Sequence, residues 1–421
     1  RKHRNIMANL LDEASILLTP TAYNNGSMLA IKPENGDGDF TFSRNSAATR
    51  VNAQGLVENV QILSSNLVSN GDFSQEGVQE VSNGSFSQEG SQLITNGNFQ
   101  NGSTSWILDN GWSVSDDKAL CNGTNLAYIT QTAVLTTGKS YKVQFDIVDY
   151  TSGSIKYRDN GFVSGQSFSE VGSYTDYVVA GGGQFRLMSE NFIGSIDNVS
   201  VKEVGQDWAL GTSWSIAENK VVASGVASNL SQIILTSGAS YKLTYEVLTS
   251  DNNTLLGYFG GNISISIPST VGTHTVYGVS DGAYFVLRNG GFIGSITNIS
   301  VKEVGQNWNL GTGFSIGENV AIYDDSANGN LSQNKTFTSN KKYNISFEIK
   351  SGSGSIAFLS SNGVTTYVGY ATYGIGTHSV VFDYTTGSGF GVFASSFLGG
   401  AFSITNISVL EITDDTNLPR I

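Results

Sequence analysis

Apolar and polar residues alternate strictly over Tyr141-Lys142-Val143-Gln144-Phe145-Asp146-Ile147, and the alternation returns at Tyr241–Val247 and Tyr343–Ile349. This period of two predicts strands with one buried and one polar face. A longer recurrence organises the rest. Phe192-Ile-Gly-Ser-Ile-Asp-Asn-Val-Ser-Val-Lys-Glu-Val-Gly-Gln-Asp-Trp208 comes back at Phe292–Trp308, offset by 100 residues, and a looser copy runs from Ala401 to Ile412. A fixed period of this length marks tandem domains. Around Ile196, Val199 and Val201 the alternation breaks only at Asp197-Asn198, which predicts a bulged strand. The Lys-Glu-Val-Gly that follows reads as a strand end and a short hinge.

Three large repeats follow from these patterns, at 93–204, 205–304 and 305–413. Each opens with aromatic residues six apart: Trp106 and Trp112, Trp208 and Trp214, Trp308 and Phe314. Many short strands and Gly-rich turns predict an all-β chain of two-sheet sandwiches. Upstream lies a shorter ladder, Val68-Ser-Asn-Gly-Asp-Phe73, Val81-Ser-Asn-Gly-Ser-Phe86 and Ile94-Thr-Asn-Gly-Asn-Phe99, in steps of 13 residues. Each unit reads as a short strand, an Asn-Gly turn and a Phe anchor. The ladder predicts a thin β connector over 67–92, joining an N-terminal module at 1–66 to the large repeats. Asn9–Leu18 is the one expected helix, stopped by Pro20. Met7 reads as the start of translation, with 1–6 an upstream read-through, and 414–421 reads as the start of a further C-terminal region.

Composition narrows the function. The 50 Gly and 4 Pro suit tight turns, and a net charge of −13 disfavours nucleic-acid backbones and anionic membranes. No apolar run reaches 18 residues, so no membrane insertion is expected. Cys121 stands alone, which excludes an intrachain disulfide framework.

Two resemblances enter here. The segment Asp39-Phe-Thr-Phe-Ser-Arg-Asn-Ser-Ala-Ala-Thr-Arg-Val-Asn52, followed by Gly55-Leu-Val-Glu58, resembles the N-terminal module of tail and head-fibre proteins of tailed bacteriophages, over residues 7–66. The large repeats share an order: an Asn-Gly-x-Phe opening, a Trp, a Tyr-x-aliphatic-x-aromatic strand and an Ile-Asp-Asn-Val-Ser-Val close. That order resembles the jelly-roll carbohydrate-binding modules appended to xylanases and cellulases. Only the first repeat carries it whole. Repeats 2 and 3 have Gln206-Asp207-Trp208 and Gln306-Asn307-Trp308 at the opening, and Asp197 becomes Thr297 and Thr405.

The resemblance implies a non-enzymatic virion fibre protein, made in the bacterial cytoplasm and acting at the host surface. Its partners would be a host polysaccharide or glycan, other virion proteins through the N-terminal module, and further copies of itself. Two alternatives stand beside it: inert spacer repeats, and the binding half of a secreted polysaccharide-degrading enzyme. Pyranose rings stack on aromatic faces. The repeated Trp set reads as core, so the aromatic candidates are Tyr157, Tyr258, Phe259, Tyr367 and Tyr370. Asp146, Glu246 and Glu348 recur singly on a polar strand face, as solvated residues or as acceptors for sugar hydroxyls. His274 and His378 recur at equivalent places and read as structural. No catalytic set emerges and no cofactor is expected. One structural calcium in repeat 1 is implied by the resemblance, where Asn98 and Asp197 match the junction of first and last strands, although calcium takes six to eight oxygens and only one charged ligand is in sight.

Overall fold

A computed structural model describes residues 62–413 except Ile263, and five earlier strands: Leu17–Asn24, Ser27–Ile31, Asp39–Thr41, Ala48–Val51 and Val57–Val60. Every regular element among the described residues is a strand. The chain forms two compact units, one built on residues up to 75 and from 305 onward, the other on 76–304.

The expected helix gives way at its described end. Leu17 and Leu18 begin a strand that runs through Pro20 to Asn24, and its pairing with Ser27–Ile31 is irregular between Leu18 and Tyr23. Pro20 donates no ladder hydrogen bond, so the pairing skips it. Residues 9–16 lie outside the described residues, as do 1–6 and 414–421. Ala48–Val51 pairs antiparallel with Val57–Val60.

Each large repeat is a jelly-roll sandwich of two antiparallel sheets. In repeat 2 the first sheet runs Trp214–Ala217, Lys220–Ser224, Ile293–Val304, Ser240–Ser250, Gly272–Val279. The second runs Ala209–Leu210, Ser228–Ile233, Tyr284–Asn289, Leu255–Phe259, Ser264–Ile267. Leu243, Tyr245 and Val301 of the first sheet meet Leu230, Phe285 and Leu287 of the second in one buried core. Repeat 3 has the same order. In repeat 1 the strands Ser140–Arg158 and Phe185–Val204 run on from one sheet into the other.

The expected bulge is present in all three repeats. Pairing slips between Gln144 and Asp146, between Thr244 and Glu246, and between Ser346 and Glu348. Opposite each slip an asparagine takes a left-handed conformation: Asn198 at φ 53°, Asn298 at 51° and Asn406 at 52°. Asparagine tolerates that region better than other side chains.

The 13-residue ladder is no connector. Its units are the opening strands of the three sandwiches, taken in reverse order. Ile62–Leu63 pairs with Phe402–Thr413 of repeat 3, Glu76–Gln79 with Ile293–Val304 of repeat 2, and Glu89–Gln92 with Phe185–Val204 of repeat 1. The domains are therefore nested in sequence. Repeat 1 is built from 89–204, repeat 2 from 76–88 with 205–304, and repeat 3 from 62–75 with 305–413. The opening that repeats 2 and 3 lack locally is supplied from upstream, and residues 62–66 leave the N-terminal module for the last sandwich.

The seating of each unit is the same. Phe99, Phe86 and Phe73 lie against Trp106, Trp208 and Trp308 at centroid distances of 5.3, 5.4 and 5.4 Å. Each indole Nε1 donates to the carbonyl of the unit's asparagine, Asn96, Asn83 or Asn70, at 2.9, 3.0 and 2.9 Å. Gln131, Gln232 and Gln333 bridge the main chain of Thr95, Ser82 and Ser69 through both amide atoms. A glycine is required beside each asparagine. A Cβ at Gly97, Gly84 or Gly71 would stand 2.0, 2.0 and 1.9 Å from the carbonyl oxygen of Val199, Ile299 or Ile407. No side chain fits that space.

Charge completes two of the three seats. Lys142 faces Lys202 across the ladder, and Lys242 faces Lys302. Like charges placed opposite each other destabilise a sheet. Glu89 resolves the first pair with contacts of 2.7 and 2.8 Å, and Glu76 the second with 2.8 and 2.9 Å. In repeat 3 the equivalent residues are Asn344, Leu410 and Leu63.

Hydrogen bonds from the lysines hold the Glu76 and Glu89 carboxyls below the ordinary value of 4.5. A depressed folded-state pKa contributes stability above the unfolded value, and that contribution is lost as pH falls through the folded one. Repeats 1 and 2 should accordingly loosen below pH 4.5, while repeat 3 lacks this route. Hydrogen exchange by mass spectrometry across an acid series checks this. Glu76→Gln should flatten the acid response of repeat 2 alone.

The expected hinge after repeat 1 is closed. Val204 is buried in the core of repeat 2, and Tyr177 of repeat 1 packs against that core. Gly205 turns the chain at φ 71° with the Ile216 side chain against it.

Candidate functional site

Several expected ligand residues are structural. Tyr157 is 0% exposed, and its hydroxyl donates to Asp159 Oδ2 at 3.0 Å. That buried carboxylate also accepts from the main-chain N–H groups of Val163, Gly181 and Gly182. Burial and the Asp159 charge push the Tyr157 phenol far up. Phe259 is 2% exposed and packs between Tyr241 and Phe285. Neither ring can meet a sugar. Tyr367 is half-buried among Phe337, Phe382 and Tyr384, donates to the Gly389 carbonyl at 3.0 Å, and burial pushes its phenol up to about 12. Tyr370, 48% exposed, stays open to solvent.

The recurring carboxylates have a structural partner. Asp146, Glu246 and Glu348 accept from the side-chain amides of Asn198, Asn298 and Asn406, each at 2.8 Å. They hold the left-handed asparagines of the bulge, which accounts for their recurrence one per repeat. His274 and His378 likewise repeat one contact, from Nε2 to the carbonyls of Thr270 and Gly374.

At the expected calcium position, burial first, then the charges of Asp146 and Asp117, raise the Asp197 carboxyl above the ordinary range. Its counterpart Thr297 donates to the Asn219 carbonyl at 2.7 Å and lies 3.5 Å from the Ser85 carbonyl. Asn98 is exposed, and its side chain caps the Gln100 N–H. Among the described residues no three His, Cys, Asp or Glu side chains gather as a metal set. Asp197 and its register partner Asp146, the latter already held by Asn198, do not supply the six to eight oxygens that calcium takes.

A different surface carries exposed aromatic and cationic groups. On the second sheet of repeat 2, Leu230, Leu255, Phe259, Phe285 and Leu287 face the core. Their neighbours in sequence face outward, because strand side chains alternate. Ile233, 68% exposed, pairs with Tyr284, 49% exposed. Ser231, Val286, Tyr258 and Ser264 form the next row, and Asn229, Arg288, Leu256 and Ser266 the one after. Two tyrosines, an arginine and several hydroxyls thus share one flat face. Such a face can stack an apolar sugar ring and hydrogen-bond its hydroxyls.

The matching face of repeat 1 differs. The Arg186 guanidinium sits 5.3 Å from the Tyr128 ring centre, and Lys156 pairs with Glu190. In repeat 3 the position of Arg288 is taken by Phe393. Inner faces and opening seats repeat almost unchanged, while this outer face varies from repeat to repeat. Of the expected ligand residues Tyr258 lies on this face in repeat 2. Tyr284, Arg288, Tyr128 and Arg186 were missed. Their signal is that they break the internal repeat.

No family model matches the chain, and no curated protein matches it. Solved structures with similar folds include the tandem CBM22-1–CBM22-2 domains of Paenibacillus barcinonensis Xyn10C, at 8% identity and TM-score 0.22, covering 77% of this chain and 98% of that one. They also include a structure of Sulfolobus Turreted Icosahedral Virus, at 12% identity and TM-score 0.20, covering 73% and 90%. A third is described as the triple jelly-roll fold and turret assembly in an archaeal virus, at 12% identity and TM-score 0.18, covering 73% and 89%. Superpositions this loose carry no argument about function.

Proposed function

We propose that the chain is a non-catalytic virion appendage protein whose sandwich repeats bind host-surface glycans weakly and multivalently. The observation that carries this reading is the outer face of repeat 2, where Tyr258, Tyr284 and Arg288 lie together on a sheet whose inner face is ordinary core. Each repeat presents different chemistry on that face, so the three sites would differ in preference, and the combined affinity would come from avidity. The net charge of −13 favours neutral over sulphated glycans for the chain as a whole. The N-terminal module would join other virion proteins, and the assembled appendage would hold several copies of the chain.

The spacer alternative meets an obstacle in the ladder of repeat 3. Leu63 pairs with Ile412, and Ile62 with Thr413. A spacer in series adds length between the points where the chain enters and leaves it. Here those points are adjacent strands, roughly 5 Å apart.

The test is a glycan array probed with the full chain and with Tyr258→Ala/Tyr284→Ala. Binding to neutral glycans that falls by about tenfold or more in the double variant supports the reading, since base-of-ring stacking is a large share of a shallow sugar site. No binding by the folded full chain would overturn it. A fragment starting at residue 93 is unsuitable, because it lacks the opening strands of repeats 2 and 3.

A further inference from the structure

The three opening segments fall into two kinds. Segments 76–88 and 89–101 share a glutamate at the head (Glu76, Glu89), a glutamine three residues on (Gln79, Gln92), and then the aliphatic residue, Asn-Gly and Phe. Their receiving grooves match as well. Gln79 and Gln92 accept from the N–H groups of Val301 and Val201 at 2.9 and 2.8 Å, and both glutamates sit between two facing lysines. Segment 63–75 differs where it matters. It has Leu63 for the glutamate, and its groove has Asn344 and Leu410 for the lysines, while Asn66 stands in for the glutamine and accepts from the Val409 N–H at 3.0 Å.

We propose that the grooves of repeats 1 and 2 are two copies of one receptor for an opening segment, and that a second copy of the chain can supply the segment they hold. An exchanged segment makes the same contacts as the chain's own: the Phe-on-Trp stack, the indole-to-carbonyl hydrogen bond, the glutamine bridge and the paired lysines. The covalent connection adds nothing to that set of contacts. Phe86 is separated from Trp208 by 122 positions, and Phe73 from Trp308 by 235. Closure within one chain and exchange between chains then differ mainly in effective concentration, the condition under which proteins swap strands. The outer groove is keyed against the exchange. Leu63 in the place of Glu76 would remove the carboxylate that contacts Lys242 and Lys302 at 2.8 and 2.9 Å, and Glu76 placed in repeat 3 would face Leu410 and Asn344. The array can therefore exchange inner strands while its outermost ladder keeps its own.

The experiment uses full chains in which segment 76–88 cannot seat, Gly84→Val and separately Phe86→Ala, with labelled peptides of residues 63–75, 76–88 and 89–101 as probes. The 76–88 and 89–101 peptides should bind with dissociation constants within about fivefold of each other, and the 63–75 peptide about tenfold or more weakly. Adding Trp208→Ala should lower capture by about tenfold or more, which locates the binding in the repeat 2 groove. Wild-type chain refolded at high concentration should give dimers that refolding at low concentration does not. Capture of no peptide by either variant would overturn the proposal. So would equal capture of all three peptides, or refolding that yields only monomer at every concentration.

Discussion

Trp208→Ala should lower the unfolding free energy of repeat 2 by about 3–5 kcal/mol, the range for deleting a large buried aromatic side chain. Trp208 is buried, stacks on Phe86 at 5.4 Å and meets Phe285 edge-on at 6.4 Å. Its Nε1 donates to the Asn83 carbonyl, which would lose that donor in the variant. The residue thus joins the opening segment to the second sheet, and its loss removes packing on both sides. Hydrogen exchange resolved to residues 205–304 is the suitable measurement, because a chain of several domains gives no single unfolding free energy. A change below about 1 kcal/mol would place the indole outside the core.

The second large effect is expected from Gly84→Val, at about 3 kcal/mol or more in the same repeat. The new Cβ would stand 2.0 Å from the Ile299 carbonyl oxygen, a main-chain atom fixed in the last strand. That strand cannot yield without breaking its own ladder, so the opening segment must lift away. The Ile299 N–H then loses the Gly84 carbonyl, 2.9 Å away, and Phe86 leaves Trp208. Gly261→Ala is the control, since a Cβ there meets nothing within 4 Å. Protection lost at both Ile299 and Trp208 in Gly84→Val, and at neither in Gly261→Ala, is the expected pattern.

Much of the fold is legible from alternation alone. Tyr141–Ile147 and its two counterparts bury the residues that the period of two assigns to the core. The interruption at Asp197-Asn198 is the bulge that it predicts. What local pattern does not carry is partnership across hundreds of residues. The three Asn-Gly-x-Phe units look alike whichever sandwich they serve, so the ladder reads as a stack of its own. The clue lay in a mismatch: three openings stand upstream, and two downstream repeats have none. The helix expected at Asn9–Leu18 fails at Leu17 and Leu18 because a short apolar stripe beside Pro20 fits an edge strand as well as a helix.

The candidate site was less legible, for two physical reasons. Recurrence marks what the fold needs, so Asp146, Glu246 and Glu348 recur because they hold the bulge. Side-chain direction depends on register, and a displacement of one residue reverses the face. Tyr157 points into the core while Lys156 and Arg158 lie on the opposite face, and Phe259 points in while Tyr258 points out.

The nested arrangement is tested most directly at its outermost pair. Leu63 and Ile412 are register partners in the ladder that closes repeat 3. In a Cys121→Ala background, Leu63→Cys/Ile412→Cys should form an intrachain disulfide under mild oxidation, because facing residues of antiparallel strands lie about 4.5–5.5 Å apart between Cα atoms, within disulfide reach. The account predicts near-complete linkage in the folded monomer, with residues 64–411 closed into one covalent loop. Free thiols at both positions in the folded chain would contradict it.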